Sequence, residues 1–105
     1  MSRIEQIKSF LTESPEDAFL NYALATELVG MGKDNEAEEC YRKLLAIHPN
    51  YIATYYHLGK LLERKLEKDA AMEIYRLGIV KAKEAKEQHS LSELQSALLE
   101  LEYGD

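Results

Sequence analysis

At 105 residues the chain has the length of one domain, and with 46% hydrophobic and 30% charged residues it reads as globular and soluble, not disordered. Thirteen lysines and arginines against nineteen aspartates and glutamates leave a net charge of −6, which repels a polyphosphate backbone and argues against nucleic acid as a partner. The single cysteine, Cys40, excludes an internal disulfide, and no run approaches the ~20 apolar residues of a membrane span.

The opening MSRIEQIKSFLTES alternates polar and apolar residues where a secretory signal has an unbroken apolar run, so a cytoplasmic location is expected. From Ser2 to about Thr12, Ile4, Ile7, Phe10 and Leu11 recur at helical spacing and predict a short amphipathic helix, ended by Pro15. A second helix is expected from Glu16 to Val29. Glu16 and Asp17 lie in its first turn, Leu24, Ala25 and Leu28 form its packing stripe, and Gly30 and Gly32 form its stop. A third follows a cap at Asp34 or Asn35, with Ala37, Tyr41, Leu44 and Leu45 inward, and ends at His48 and Pro49. The fourth, from Tyr51 to Lys65, presents Tyr55, Leu58, Gly59 and Leu62. The fifth, capped by Asp69, presents Ala71, Tyr75, Gly78 and Ile79 and continues through KAKEAKEQ. Ser90 and Glu93 have the spacing of a capping box before a sixth helix carrying Leu91, Leu94, Leu98 and Leu101, with residues 103–105 fraying.

The chain repeats itself at an offset of 34 residues. Pro15 pairs with Pro49, Tyr22 with Tyr56, Leu24 with Leu58, Ala25 with Gly59 and Leu28 with Leu62. Further on, Ala37 pairs with Ala71, Tyr41 with Tyr75 and Arg42 with Arg76. That period, with small residues at fixed offsets, predicts one helical hairpin per repeat. Gly59 and Gly78 inside helices imply backbone crowding, since glycine there otherwise costs about 1 kcal/mol against alanine.

These residues resemble the tetratricopeptide repeat family over 15–82. The second copy matches through Tyr55, Leu58, Gly59, Leu62, Ala71, Tyr75 and Gly78. The first matches through Leu24, Ala25, Leu28, Ala37, Tyr41 and Pro49, with Asn21 where a large aromatic is expected. The resemblance implies an all-α fold of about six helices, stacked antiparallel hairpins in a right-handed superhelix. It implies a single domain over 1–105: an N-terminal helix at 2–14 like half a repeat, repeats at 15–48 and 49–83, and an extended helix end and capping helix at 84–105. It further implies an adaptor that binds a partner's peptide or amphipathic helix in a concave groove, without catalysis or cofactor. Carried over residue by residue, the groove is lined by Phe19, Tyr22, Thr26 and Val29, and by Ala53, Tyr56, Lys60 and Glu63, with His57 at its edge. Tyr22, Thr26 and His57 stand where a chaperone-binding subset carries lysine and asparagines, so an aromatic groove for a hydrophobic or amphipathic segment is expected instead.

Other chemistry finds little support in the residues. Gly30 to Lys33 lacks the first glycine and the final Ser or Thr of a phosphate-binding loop and reads as a turn. Cys40, His48 and His57 have no zinc-site spacing, and the glutamates around 36–39 and 63–67 read as solvated helix faces beside lysines. The alternative to an adaptor is a structural subunit that homo-oligomerises, as a homodimer, through exposed apolar helix faces.

Overall fold

A computed structural model describes residues 2–104. It contains six helices: α1 (Arg3–Glu13), α2 (Ala18–Gly30), α3 (Asp34–Ile47), α4 (Ala53–Arg64), α5 (Lys68–Ala85) and α6 (Gln88–Tyr103), with no strand among the described residues. The fold is all-α and is built from helical hairpins. The described residues divide into two compact units, one ending at Tyr51 and the other beginning at Ile52.

In the first unit α1 packs along α2, and α2 pairs with α3 as a hairpin, because a three-residue connection returns the chain antiparallel. Ser2 and Glu5 form a reciprocal capping box on α1, while Asp17 caps α2 by accepting the Leu20 N–H at 2.8 Å. Ala25, Ala37, Tyr41 and Leu44 are buried at the α2–α3 contact. Asn21, only 4% exposed, fills the place of the expected aromatic. Its amide donates to the carbonyls of Pro15 (3.1 Å) and Asp17 (2.8 Å) and ties the preceding loop to the helix. Lys43 and the His48 ring also bond that loop, at the carbonyls of Pro15 and Glu16.

In the second unit α4 and α5 form the hairpin and α6 covers it. Tyr55, Leu58, Leu62, Ala71, Tyr75 and Leu94 are buried there, and each fully buried leucine contributes roughly 2 kcal/mol. A Cβ on Gly59 would overlap the Tyr75 ring, and one on Gly78 would lie 2.5 Å from Tyr55 Cβ. Arg76 reaches Glu102 at 3.1 Å and braces α5 to α6.

Three turns use one device. Gly32, Leu66 and Lys86 adopt left-handed φ values of 75°, 62° and 58°. The next residue in each case donates its N–H back across the turn: Lys33 to Leu28 O, Glu67 to Leu62 O and Glu87 to Ala82 O, at 2.9–3.0 Å. The same residues, Lys33, Glu67 and Glu87, are the N-caps of α3, α5 and α6 and carry no side-chain cap bond. This overturns the expected caps. Asp34 and Asp69 lie inside the first turns, Asn35 is a further residue in, and Ser90 lies inside α6 with its hydroxyl on Glu87. It also stops α5 at Ala85 instead of running through KAKEAKEQ.

The other helix bounds move by one to three residues, with Asp17 acting as a cap and not as a first-turn residue. Phe10, expected inward, is 60% exposed, and of the α1 stripe only Ile7 is buried. On α6 the buried line is Leu94 and Ala97, with Leu91, Leu98 and Leu101 half-buried. Tyr103 and Gly104 are described, Tyr103 as the last residue of α6, while Asp105 lies outside the described residues.

Gly78→Ala should lower unfolding stability by about 2 kcal/mol. Overpacking against the root of Tyr55 outweighs the ~1 kcal/mol gain in helix propensity, and urea unfolding checks this. Leu66→Gly should raise stability by about 1 kcal/mol, because an L-residue is strained in the left-handed region, and Gly32→Ala should lower it similarly.

Candidate functional site

The residues expected to bind lie on α2 in one unit and on α4 in the other. Along α2, Phe19, Tyr22, Thr26 and Val29 follow one another at three and four residues and share one side. Phe19 is 61% exposed, Thr26 is exposed, and Tyr22 and Val29 are half-buried. Tyr22 sits between two rings, Tyr51 with centroids 5.6 Å apart and Tyr41 at 6.5 Å. Thr26 Oγ1 lies 3.3 Å from the Tyr41 hydroxyl and bonds the Tyr22 carbonyl at 3.0 Å. Burial raises the Tyr41 phenol above its ordinary pKa, so at neutral pH it remains a hydrogen-bonding hydroxyl. None of the four lines the nearby hollow of about 330 Å³ at Ala18 and 47–51.

On α4 the corresponding side is polar. Ala53, the expected lining residue at its start, is exposed, whereas Tyr56, His57, Lys60 and Glu63 are half-buried. Tyr56 lies 6.5 Å from Tyr75 and 5.6 Å from the His57 ring, and Lys60 Nζ stands 5.5 Å from the Tyr56 centroid. Lys60 also pairs with Glu63 at 3.6 Å, and Glu63 accepts a bond from the Tyr75 hydroxyl. Burial, that bond and the carboxylate charge together push the Tyr75 phenol far up. The chain of Tyr56, Lys60, Glu63 and Tyr75 therefore holds the exposed side of α4 in one arrangement.

Tyr56 and Lys60 form one wall of a cleft of about 300 Å³ whose opposite wall is α6, through His89, Glu93, Ala97 and Glu100. Glu63 lines an adjoining hollow of about 440 Å³ with Leu66, Lys68 and Leu101. His57 lines neither. The α6 wall escaped the reading of the sequence, which treated that helix only as a cover. The signal was there: His89, Glu93, Ser96 and Glu100 recur at three and four residues on the side opposite the leucines.

The arrangement offers aromatic faces, hydroxyls and charges for binding. Among the described residues no group of three or more His, Cys, Asp or Glu side chains converges on a metal position, and Cys40 is a half-buried thiol whose pKa burial raises. Among those residues no helix is long and apolar enough to cross a membrane.

Burial lowers the His57 pKa, against the opposing pull of Glu93. The unfolded chain therefore binds more protons than the folded one once the pH falls below the ordinary value of 6.5, so this residue's contribution to stability is full above that value and is lost as acid is added. The fall in melting temperature between about pH 7 and about pH 5 should be smaller in His57→Gln than in wild type.

A sequence profile of the TPR repeat matches residues 25–65. A crystal structure of a tetratricopeptide repeat domain protein from Salinibacter ruber is 42% identical, covers 85% of this chain and all of that one, and superposes with a TM-score of 0.81. A solution structure of such a domain from the same organism is 43% identical over 87% of this chain and 92% of its own, with a TM-score of 0.83. At 19% identity, the TPR2B domain of yeast Sti1, in complex with pHsp70, shares the fold over 97% of this chain and 82% of its own, with a TM-score of 0.88. A search of curated proteins gave no match. With more than two fifths of its aligned residues shared with a solved domain that it covers completely, the chain belongs to the tetratricopeptide repeat family.

Proposed function

We propose that this protein is a non-catalytic adaptor that docks a peptide or amphipathic helix of a partner protein. Its binding residues are Phe19, Tyr22, Thr26 and Val29 in the first unit and Tyr56, His57, Lys60 and Glu63 in the second. Residues 15–48 and 49–83 are its two repeats, flanked by the helix at 2–14 and the cover at 84–105, in one domain of cytoplasmic location. The observation that carries this reading is the open cleft beside Tyr56, whose aromatic and charged wall is braced by Lys60, Glu63 and Tyr75 before any ligand arrives. The excess of acidic residues favours protein over nucleic acid, and the pHsp70 complex of the yeast Sti1 domain shows that this fold accommodates a protein ligand.

A second reading, self-association, draws on Leu77, Val80 and Leu99, which stand about half exposed in the second unit. Mass that rises with concentration would favour homodimerisation, and a constant monomer would remove it.

The adaptor reading is tested by capture from host lysate with wild type and with a Tyr22→Ser, Tyr56→Ser variant of equal helical content. A partner retained by wild type should be lost by the variant, since a buried aromatic anchor is worth at least about 2 kcal/mol. Identical retention by both would sink the assignment of these faces.

A further inference from the structure

Leu66 is costly where it stands. Its φ of 62° lies in the left-handed region, and its side chain is 91% exposed. The same turn in the first copy uses Gly32, and Lys86, the other non-glycine residue with this backbone, is a side chain that water solvates well. Of the three turn residues, only Leu66 joins an uncovered apolar side chain to backbone strain.

Beside it opens the largest of the hollows described above, about 440 Å³, lined by Glu63, Leu66, Lys68, Glu100, Leu101 and Gly104. A leucine side chain, four carbons of roughly 30 Å³ each, fits there with room for the turn that carries it. In a two-fold contact the same patch serves both copies, so a projecting side chain and the hollow that receives it must lie side by side on one surface. Leu66 and its hollow meet that condition.

The charges on the rim select the same occupant. Neither Lys68 nor the Glu100 carboxylate is held by a hydrogen bond or ion pair among the described residues, and Glu100 is felt only through its charge, at the Tyr75 phenol. Glu63 is already engaged by Tyr75 and Lys60. The rim therefore carries one open cation and one open carboxylate. A partner segment of one sign answers only one of them. A second copy answers both, because a two-fold axis sets Lys68 of each copy against Glu100 of the other.

We propose that Leu66 of each copy enters this hollow on a second copy, forming a two-fold dimer closed by Lys68–Glu100 pairs. This rests on the self-association reading and gives it a surface distinct from Leu77, Val80 and Leu99. Six lining residues are few against the roughly 20–30 a side of a standard interface, so the dimer is weak and forms at concentrations on the order of 100 μM. Dimerisation covers the leucine that the isolated chain leaves in water.

Sedimentation equilibrium of the full chain from about 5 μM to about 1 mM should show the mass rising toward that of two copies. Leu66→Gly should raise the urea midpoint, since it relieves the turn, yet weaken self-association at least about tenfold. A leucine with a purely structural role does not move the two in opposite directions. Lys68→Glu and Glu100→Lys should each weaken association about fivefold, and the two together should restore it, because the exchanged charges meet again across the axis. Unchanged association in Leu66→Gly, or a double variant no tighter than the single ones, overturns the proposal. If association survives Leu66→Gly but is lost in Leu77→Glu with Val80→Glu, self-association stands on that other face and this one falls. A constant monomer up to the highest concentration removes both.

Discussion

The second unit depends on backbone contact that only glycine permits. Gly59 lies under the ring of Tyr75 and Gly78 against the root of Tyr55, so each tyrosine of the α4–α5 hairpin seats on the glycine of the opposite helix. The two contacts are reciprocal, and neither ring can move aside because both are buried. In the first unit Ala25 occupies the place of Gly59 in the repeat, and both it and the equivalent tyrosine, Tyr41, are buried. Close approach also places Tyr75 where its hydroxyl reaches Glu63, which in turn holds Lys60 over Tyr56. The packing of the hairpin and the order of the outward side of α4 are thus one network.

The turns show how so short a chain makes six helices. One left-handed residue, followed by a residue whose N–H closes the old helix while its carbonyl starts the next, joins α2 to α3, α4 to α5 and α5 to α6. A single position serves as the end of one helix and the cap of the next. That economy leaves no place for a separate Asp, Asn or Ser cap. It also accounts for strain at Leu66 and Lys86, where the repeat places side chains at a position that Gly32 occupies freely. Leu66 is 91% exposed, so its side chain recovers almost nothing by burial.

The two units use the same framework for different surfaces. Tyr22 and Tyr56 occupy matching places and each lies 6.5 Å from the tyrosine of its hairpin partner. Four and seven residues on, however, Thr26 and Val29 in the first copy become Lys60 and Glu63 in the second. The framework residues are constrained by packing, whereas the outward positions are free to set charge and polarity, which is why repeats diverge there.

The 34-residue offset, the small residues at 25, 37, 59 and 71 and the tyrosines at 41 and 75 were sufficient to read the number of helices, their pairing and most of the buried stripe, because helical periodicity is a local property of the chain. The exposure of Phe10 and the shift of the buried line on α6 toward Ala97 were not legible, because they depend on which neighbour meets each helix and at what angle. Nor were the caps, since the choice between a side-chain cap and a backbone-closed turn is settled by how closely consecutive helices are joined. For the candidate site, the repeat in the sequence singled out Tyr56 and Lys60 of the cleft wall on α4, together with Ala53, His57 and Glu63, which do not line that cleft. Only the tertiary structure decided its opposite wall, because Glu93, Ala97 and Glu100 lie more than 30 positions along the chain from Tyr56 and face it only once α6 has packed over the hairpin.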